Sequence, residues 1–224
     1  MTAVAALRRV GLLGGTFDPI HTGHLDVARV AQRELSLTAV HVLPANVPPH
    51  RTQPSASAFH RFAMVSIAVA GATGWRASDL ELRMPAPSYT SNTLRHYHAR
   101  GYASDELFFL MGADAFKDIQ QWHDYPAILD AARFVVVSRP GFEVGLNSQT
   151  KQSERAIFIR AETMDVSSSA IRLARSEGRP IDGLVPPGVQ QHIEQHGLYS
   201  PMPPDRRLQT RRDPVAADRL HDEN

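Results

Sequence analysis

The 224-residue chain contains no cysteine, which rules out a disulfide framework, a cysteine-ligated zinc site and a thiol nucleophile. It also lacks charge of one dominant sign. Its 24 Lys and Arg against 23 Asp and Glu leave a formal net charge of +1, so there is no broad cationic field of the kind that holds nucleic acid. No apolar run approaches the ~20 residues needed to span a bilayer, and the first nine residues lack the order of charge, long apolar run and cleavage site of a secretory signal. Internal repeats are absent. Neither common nucleotide-binding loop is present: Gly11, Gly14 and Gly15 do not have the G-x-G-x-x-G spacing, and no lysine follows them as a Walker A loop requires. No Ser–His–Asp or Cys–His constellation is visible. What remains is a cytoplasmic enzyme or small-molecule-binding domain, with neither nucleic acid nor membrane as a partner. A hydrophobic share of 42% is enough for one domain with a proper core. Homo-oligomerisation is left open.

What the sequence does contain is an alternation of strand and helix signals. Residues 9–13 read as a short buried strand, followed by a glycine turn and a helix over 26–31. A second strand over 38–43 leads into a proline-rich loop over 44–57. The helix over 59–68 places Phe59, Phe62, Ala63 and Ile67 at core-facing spacing. Residues 75–82 predict a strand, 91–100 a helix, and 106–111, 133–138 and 156–159 three further strands. A helix opens at Ser167-Ser168-Ser169, with serines and Asp165 as caps, and the last runs from Pro186-Pro187-Gly188 to near Gly197. Continuously apolar strands alternating with helices predict an α/β fold with a doubly wound parallel sheet and a small C-terminal helical portion. One domain is expected over 1–199. Residues 200–224, proline-rich and charged, have little to bury and are expected to form a disordered tail.

The chemistry gathers at Gly14-Gly15-Thr16-Phe17-Asp18-Pro19-Ile20-His21-Thr22-Gly23-His24. Glycines where a strand ends let backbone approach a ligand closely. A helix start presents unpaired N–H groups and the positive end of the macrodipole, which together suit phosphate. His21 and His24, three residues apart, project from the same side of a first helical turn. In a doubly wound sheet, ligands bind beyond the carboxyl ends of the strands. The opening turn, Gly112-Ala113-Asp114 and Arg139-Pro140-Gly141 all stand at such ends.

These residues resemble the H-x-G-H signature of the nucleotidyltransferase superfamily, and the longer stretch is similar to that of bacterial nicotinate-nucleotide adenylyltransferases. The resemblance extends in family order from Val10 to about Tyr199. Ser167-Ser168-Ser169-Ala170-Ile171-Arg172 is similar to the superfamily's I-S-S-T-x-I-R stretch, with Ser169 keeping the hydroxyl of the usual threonine. Pro48-Pro49-His50-Arg51 resembles the family's Pro-Pro-His-Lys loop, with arginine for lysine, a planar fork in place of a point charge. Ser88-Tyr89-Thr90-Ser91-Asn92-Thr93 resembles its Ser-Tyr-Thr-x-Asp-Thr loop, with Asn92 for aspartate, and His123 follows Trp122 where the family often has tyrosine. A polar loop around Arg51 and a core role for Trp122 are the plainer readings.

The resemblance implies a Rossmann-like nucleotidyltransferase fold and transfer of AMP from ATP to nicotinate mononucleotide, giving nicotinate adenine dinucleotide and pyrophosphate. Its implied catalytic residues are His21, His24, Arg172, Ser169 and Arg51. Gly14, Gly15, Thr16, Phe17, Gly112, Asp114, Ser167 and Ser168 would join the two histidines, Ser169 and Arg172 around ATP. Ser88, Tyr89, Thr90, Trp122, His123 and Arg139 would hold the mononucleotide. Mg²⁺ is expected on the ATP phosphates, without a dedicated protein cage. A phosphate nucleophile with a second pKa of about 6 is already largely ionised at neutral pH and needs no general base. The rival readings are another adenylyl acceptor, nicotinamide mononucleotide or phosphopantetheine, and a nucleotide-binding regulator without turnover. His192 and His196, four apart on the last helix, have a metal-ligand spacing but no cysteine nearby, and are read as a solvated face.

Overall fold

The computed structural model describes residues 8–49, 53–138 and 156–201. Its strands are β1 (Val10–Gly15), β2 (Ala39–Pro44), β3 (Trp75–Ala77), β4 (Leu107–Gly112), β5 (Arg133–Ser138) and β6 (Ala156–Arg160). They form one all-parallel sheet in the order β3-β2-β1-β4-β5-β6. The order reverses between β1 and β4, whose registers pair Val10 with Leu107 and Leu13 with Leu110. The carboxyl ends of these two strands, at Gly15 and Gly112, therefore flank the crevice where such folds hold ligands. This is the doubly wound sheet that the alternation predicts.

Helices cover both faces. Leu13, Val40, Val42, Phe108, Leu110 and Val135 point to one side, where they meet α1 (Thr22–Glu34), α2 (Ala58–Val69), α7 (Ser168–Ser176) and α8 (Pro187–Gln195). Leu12, Leu43, Phe109, Met111, Phe134 and Val136 point to the other. There they meet α3 (Leu80–Arg83), α4 (Thr90–Ala99), α5 (Ala113–Lys117) and α6 (Ile128–Ala131). Because successive side chains alternate between two buried faces, the strands read as unbroken apolar runs. Among the described residues no helix is long and apolar enough to cross a membrane. The tail expected over 200–224 lies, beyond residue 201, outside the described residues.

Two elements differ from their sequence expectation. The strand expected over 75–82 stops at Ala77, and Leu80–Arg83 is a short helix. Edge strand β3 pairs only with β2, through three residues. Ser78 then turns the chain, its N–H donating to Val42 O and its hydroxyl accepting from Leu80 N. Helix α2 forms as expected but is rotated about its axis. It buries Arg61, Met64, Val65 and Val69, while Phe59 is 87% exposed and Ile67 is exposed as well. The cause is Arg61, whose guanidinium finds four backbone carbonyls inside the molecule and fixes which stripe faces inward.

A buried histidine in β2 gives the fold a pH dependence. His41 is 3% exposed, with Nδ1 2.6 Å from the Tyr97 hydroxyl and 3.4 Å from Arg76 Nη2. Burial, and secondly the Arg76 charge, push its imidazole down from 6.5 to about 4. Between those two values the unfolded chain binds a proton that the folded chain refuses. This contribution is fully present above pH 6.5 and is lost as pH falls towards 4, at up to about 1.4 kcal/mol per pH unit. Urea unfolding of wild type and His41→Gln across this window should show a flatter acid limb in the variant. Parallel limbs would assign the acid sensitivity to other groups.

Candidate active site

The loop after β1 is shaped by sterics before any ligand is considered. A Cβ at Gly15 would lie 3.0 Å from the Phe17 ring, and one at Gly14 would lie 3.3 Å from Phe109 Cζ. Phe17 takes a left-handed φ of 51° and turns its ring into the core, 2% exposed. The glycines are thus needed beneath the loop, which leaves its backbone as the surface a ligand can meet. The Phe17 ring also meets the His24 ring edge-on at 5.0 Å and 87°.

Helix α1 opens with His21 as its N-cap, in extended conformation. The His21 and His24 rings stack, with centroids 3.6 Å apart and planes 24° from parallel. The His21 backbone N–H donates to His24 Nδ1 at 3.3 Å. With Nδ1 accepting, the neutral His24 ring carries its proton on Nε2 and offers a donor there. His21 is 6% exposed, so one of the two histidines is a core residue as well as a candidate site residue.

The second predicted stretch folds against the first. Ser167 caps α7, its hydroxyl accepting from Ala170 N at 3.2 Å. Ser168 Oγ donates to Pro19 O at 2.9 Å, so this serine anchors the loop through its hydroxyl proton. Arg172 donates from Nη1 to Asp18 O at 2.8 Å and from Nη2 to Ser169 Oγ at 3.3 Å. Two helix starts, a histidine pair and an arginine therefore meet around residues 18–21. Spacing of 149 and 154 residues separates the partners, which only the sheet topology brings together.

Sequence reasoning missed the residues that hold this arrangement in place. Asp18, 5% exposed, accepts from Ser55 N at 2.8 Å, Ala56 N at 3.0 Å and the Tyr199 hydroxyl at 2.8 Å, with Arg172 Nη1 3.9 Å away. Burial and the Asp18 charge raise the Tyr199 hydroxyl far above its ordinary range, so it stays a donor. Arg61, 1% exposed, donates to Thr16 O, Ala45 O, Asn46 O and Ala56 O, tying the loop after β1 to both ends of the loop between β2 and α2. Asp18 stood within the quoted motif, but nothing in the spacing pointed to its partners.

A second group lies on the other face. Phe109, the ring beneath Gly14, meets Trp122 edge-on with centroids 5.8 Å apart, which links the glycine turn to that tryptophan. The rings of Tyr89 and His123 stack at 4.2 Å and 21°. His123 Nδ1 lies 3.1 Å from Asp124 Oδ2 and 3.3 Å from Ser91 Oγ. Asn92, where the family has aspartate, accepts from Arg95 Nη1 at 2.7 Å, and Arg95 Nη2 in turn meets Asp124 Oδ2 at 3.0 Å. Negative charge is therefore present nearby, on Asp124. Ser88 Oγ accepts from Asn46 N, while Thr90 is the first residue of α4. Gly112 caps α5, and the Asp114 side chain is 88% exposed beside Lys117. Arg51 and Arg139 lie outside the described residues.

The Cytidylyltransferase-like family matches residues 12–174, a span that includes both the histidine and the serine–arginine stretches. At finer grain, the nicotinate-nucleotide adenylyltransferase of Roseiflexus sp. (strain RS-1) is 40% identical over 199 residues, covering 85% of this chain and 97% of the relative. That of Thermomicrobium roseum is 39% identical over 198 residues, covering 86% and 92%. The chain belongs to the nicotinate-nucleotide adenylyltransferases. The adenylyltransferase also shares its fold with a Plasmodium falciparum nicotinic acid mononucleotide adenylyltransferase solved in complex with NaAD. There the TM-score is 0.69 at 18% identity, over 86% of this chain and 97% of that one.

Proposed function

We propose that the adenylyltransferase moves AMP from ATP to nicotinate mononucleotide, with the phosphates at the meeting of α1 and α7 and the pyridine beside Tyr89, Trp122 and His123. The observation that carries this reading is the stacked His21–His24 pair at the start of α1, set against the Arg172 end of α7. An oxygen of the mononucleotide phosphate attacks the α-phosphorus of ATP, the new P–O bond forms as the bond to the β,γ-pyrophosphate breaks, and the electron pair leaves with pyrophosphate. The ionised nucleophile supplies its own charge, so the protein's task is alignment and stabilisation of charge on the leaving oxygens. His24 Nε2–H, the Ser169 hydroxyl and the Arg172 guanidinium are the donors suited to that work. Asp18, the carboxylate of this loop, has both oxygens engaged by protein donors. The remaining donors are nitrogen and hydroxyl groups, which fits Mg²⁺ arriving on ATP rather than held in a protein cage. Bound there, the ion would neutralise part of the pyrophosphate charge.

The start of α4 supports an acid over an amide at the pyridine. Tyr89 caps the helix with no side-chain hydrogen bond, so the first-turn N–H groups of Thr90 and Ser91 present donors and the positive end of the dipole. A carboxylate accepts from both, whereas an amide offers one acceptor and an N–H that finds no partner. Nicotinate mononucleotide should exceed the nicotinamide form by roughly a hundredfold or more in kcat/KM. Pyrophosphate release from ATP, assayed with nicotinate mononucleotide, nicotinamide mononucleotide and phosphopantetheine in turn, tests both statements. Equal use of the two pyridine nucleotides would remove the acid preference and leave adenylyl transfer standing. Release with phosphopantetheine alone would remove the acceptor.

A further inference from the structure

We propose that His60, His192 and His196 form a binding site for a divalent late transition-metal ion, such as Zn²⁺, Co²⁺ or Ni²⁺, that clips α2 to α8. With no cysteine nearby, the sequence read His192 and His196 as a solvated face, and the fold supplies a third histidine from 132 residues away. One ligand nitrogen from each ring lies within 4.8 Å of the other two. His60 Nδ1 and His192 Nε2 are already 3.1 Å apart, close to the ~3.3 Å edge of a tetrahedron built on metal–nitrogen bonds of about 2.0–2.1 Å. The His196 ring, with centroids 4.9 Å from His60 and 4.4 Å from His192, is exposed and free to rotate by the remaining distance.

The placement of the three rings is fixed by helix packing. At the other end of the pair, a Cβ on Gly188 would lie 2.7 Å from Ile67 Cγ2, so the first turn of α8 is pressed against the last turn of α2. The helices thus run antiparallel, and His60 in the first turn of α2 faces His192 and His196 at the close of α8. His192 and His196, four apart, project from one side of their helix. Three imidazoles with a fourth position open to water suit Zn²⁺, Co²⁺, Ni²⁺ or Cu²⁺, whereas Mg²⁺ prefers oxygen ligands. The site is therefore chemically separate from any Mg²⁺ delivered on ATP. It is also structurally placed to matter, because the segments it joins lead to Ala56 and Tyr199, both of which donate to Asp18. The ion would stabilise the closed packing of these two segments, which binds metal, whereas the unfolded chain has no such preformed site.

The test is a CoCl₂ titration of the full, tag-free chain with excess Mg²⁺ present, followed by visible absorption and calorimetry. One ion per chain is expected, with d–d bands of a nitrogen-ligated site of low coordination number. His60→Gln and His196→Gln should each weaken binding by roughly tenfold or more, while leaving adenylyl transfer with Mg²⁺·ATP within about twofold of wild type. Added Co²⁺ at a hundredfold excess over Kd should raise the Tm of wild type by roughly several degrees and that of the variants by little. Absence of saturable uptake would overturn the proposal. So would undiminished binding in folded His60→Gln, which would put the ion at other histidines such as His21 and His24, and so would half an ion per chain, which would make it a bridge between copies.

Discussion

His24→Ala is expected to lower turnover by roughly a hundredfold or more, the scale of losing one donor to a developing oxyanion. His24 is half-buried, accepts from the His21 backbone and meets Phe17 only by its edge. Alanine keeps the helix and loses two ring contacts, the edge of Phe17 and the stack on His21, each worth about 1 kcal/mol, so the variant should remain folded. His21→Ala should show a similar loss of turnover with a larger loss of stability, because that ring is buried as well as stacked. The pair separates chemistry from packing within a single motif. Steady-state pyrophosphate release and thermal unfolding of both variants check it. Near-normal turnover in both would remove the histidines from the mechanism.

The largest effect on stability is expected at Arg61. Its side chain is 1% exposed and donates to four carbonyls, at 2.6 Å to Ala45 O, 2.8 Å to Thr16 O, 3.0 Å to Asn46 O and 3.3 Å to Ala56 O. Arg61→Ala removes all four donors, leaves the carbonyls without them inside the molecule and opens a cavity the size of the side chain. The penalties for orphaned buried acceptors and for breaking a buried charged network together reach about 3–5 kcal/mol. Arg61→Lys should recover only part of this, since a compact ammonium cannot span carbonyls that a planar fork reaches. Urea unfolding measures both, and a cost below about 1 kcal/mol in the alanine variant would show that the loops hold themselves. Turnover should fall along with stability, because Thr16 belongs to the loop proposed to meet the phosphates.

The sheet was legible because its evidence is local. The central strands are apolar runs feeding two buried faces, and the longer helices α1, α2, α4, α7 and α8 carry their own periodicity or end signals, whereas the short α3, α5 and α6 gave none. The histidine motif was legible for the same reason, since His21 and His24 are neighbours on one helical turn. What escaped was everything decided by contacts between distant segments. The inward stripe of α2 was misplaced because apolar periodicity favoured Phe59 and Ile67, whereas Arg61 finds carbonyls on two loops and turns the helix to reach them. The strand expected past Ala77 ended early because β3 has one neighbour, and Ser78 satisfies the next carbonyl of β2 instead. His60 carried no signal alone, and only the antiparallel packing of α2 on α8 gives it two companions. Asn92 read as a lost charge, although Asp124, 32 positions on, meets the same Arg95.

Asp18 has a further consequence, concerning the order in which the site can be completed during synthesis. Its donors come from residues 37, 38 and 181 positions later in the chain. The strand–turn–helix that carries the histidines emerges before the other described elements, yet the last hydroxyl that closes around its aspartate is among the last described residues to follow. A nascent chain that has already paired β1 with β2 and β4 still holds the loop after β1 by fewer bonds than the finished one. The full set of donors around Asp18 thus arrives late, with Tyr199, and a chain without that residue leaves Asp18 one donor short.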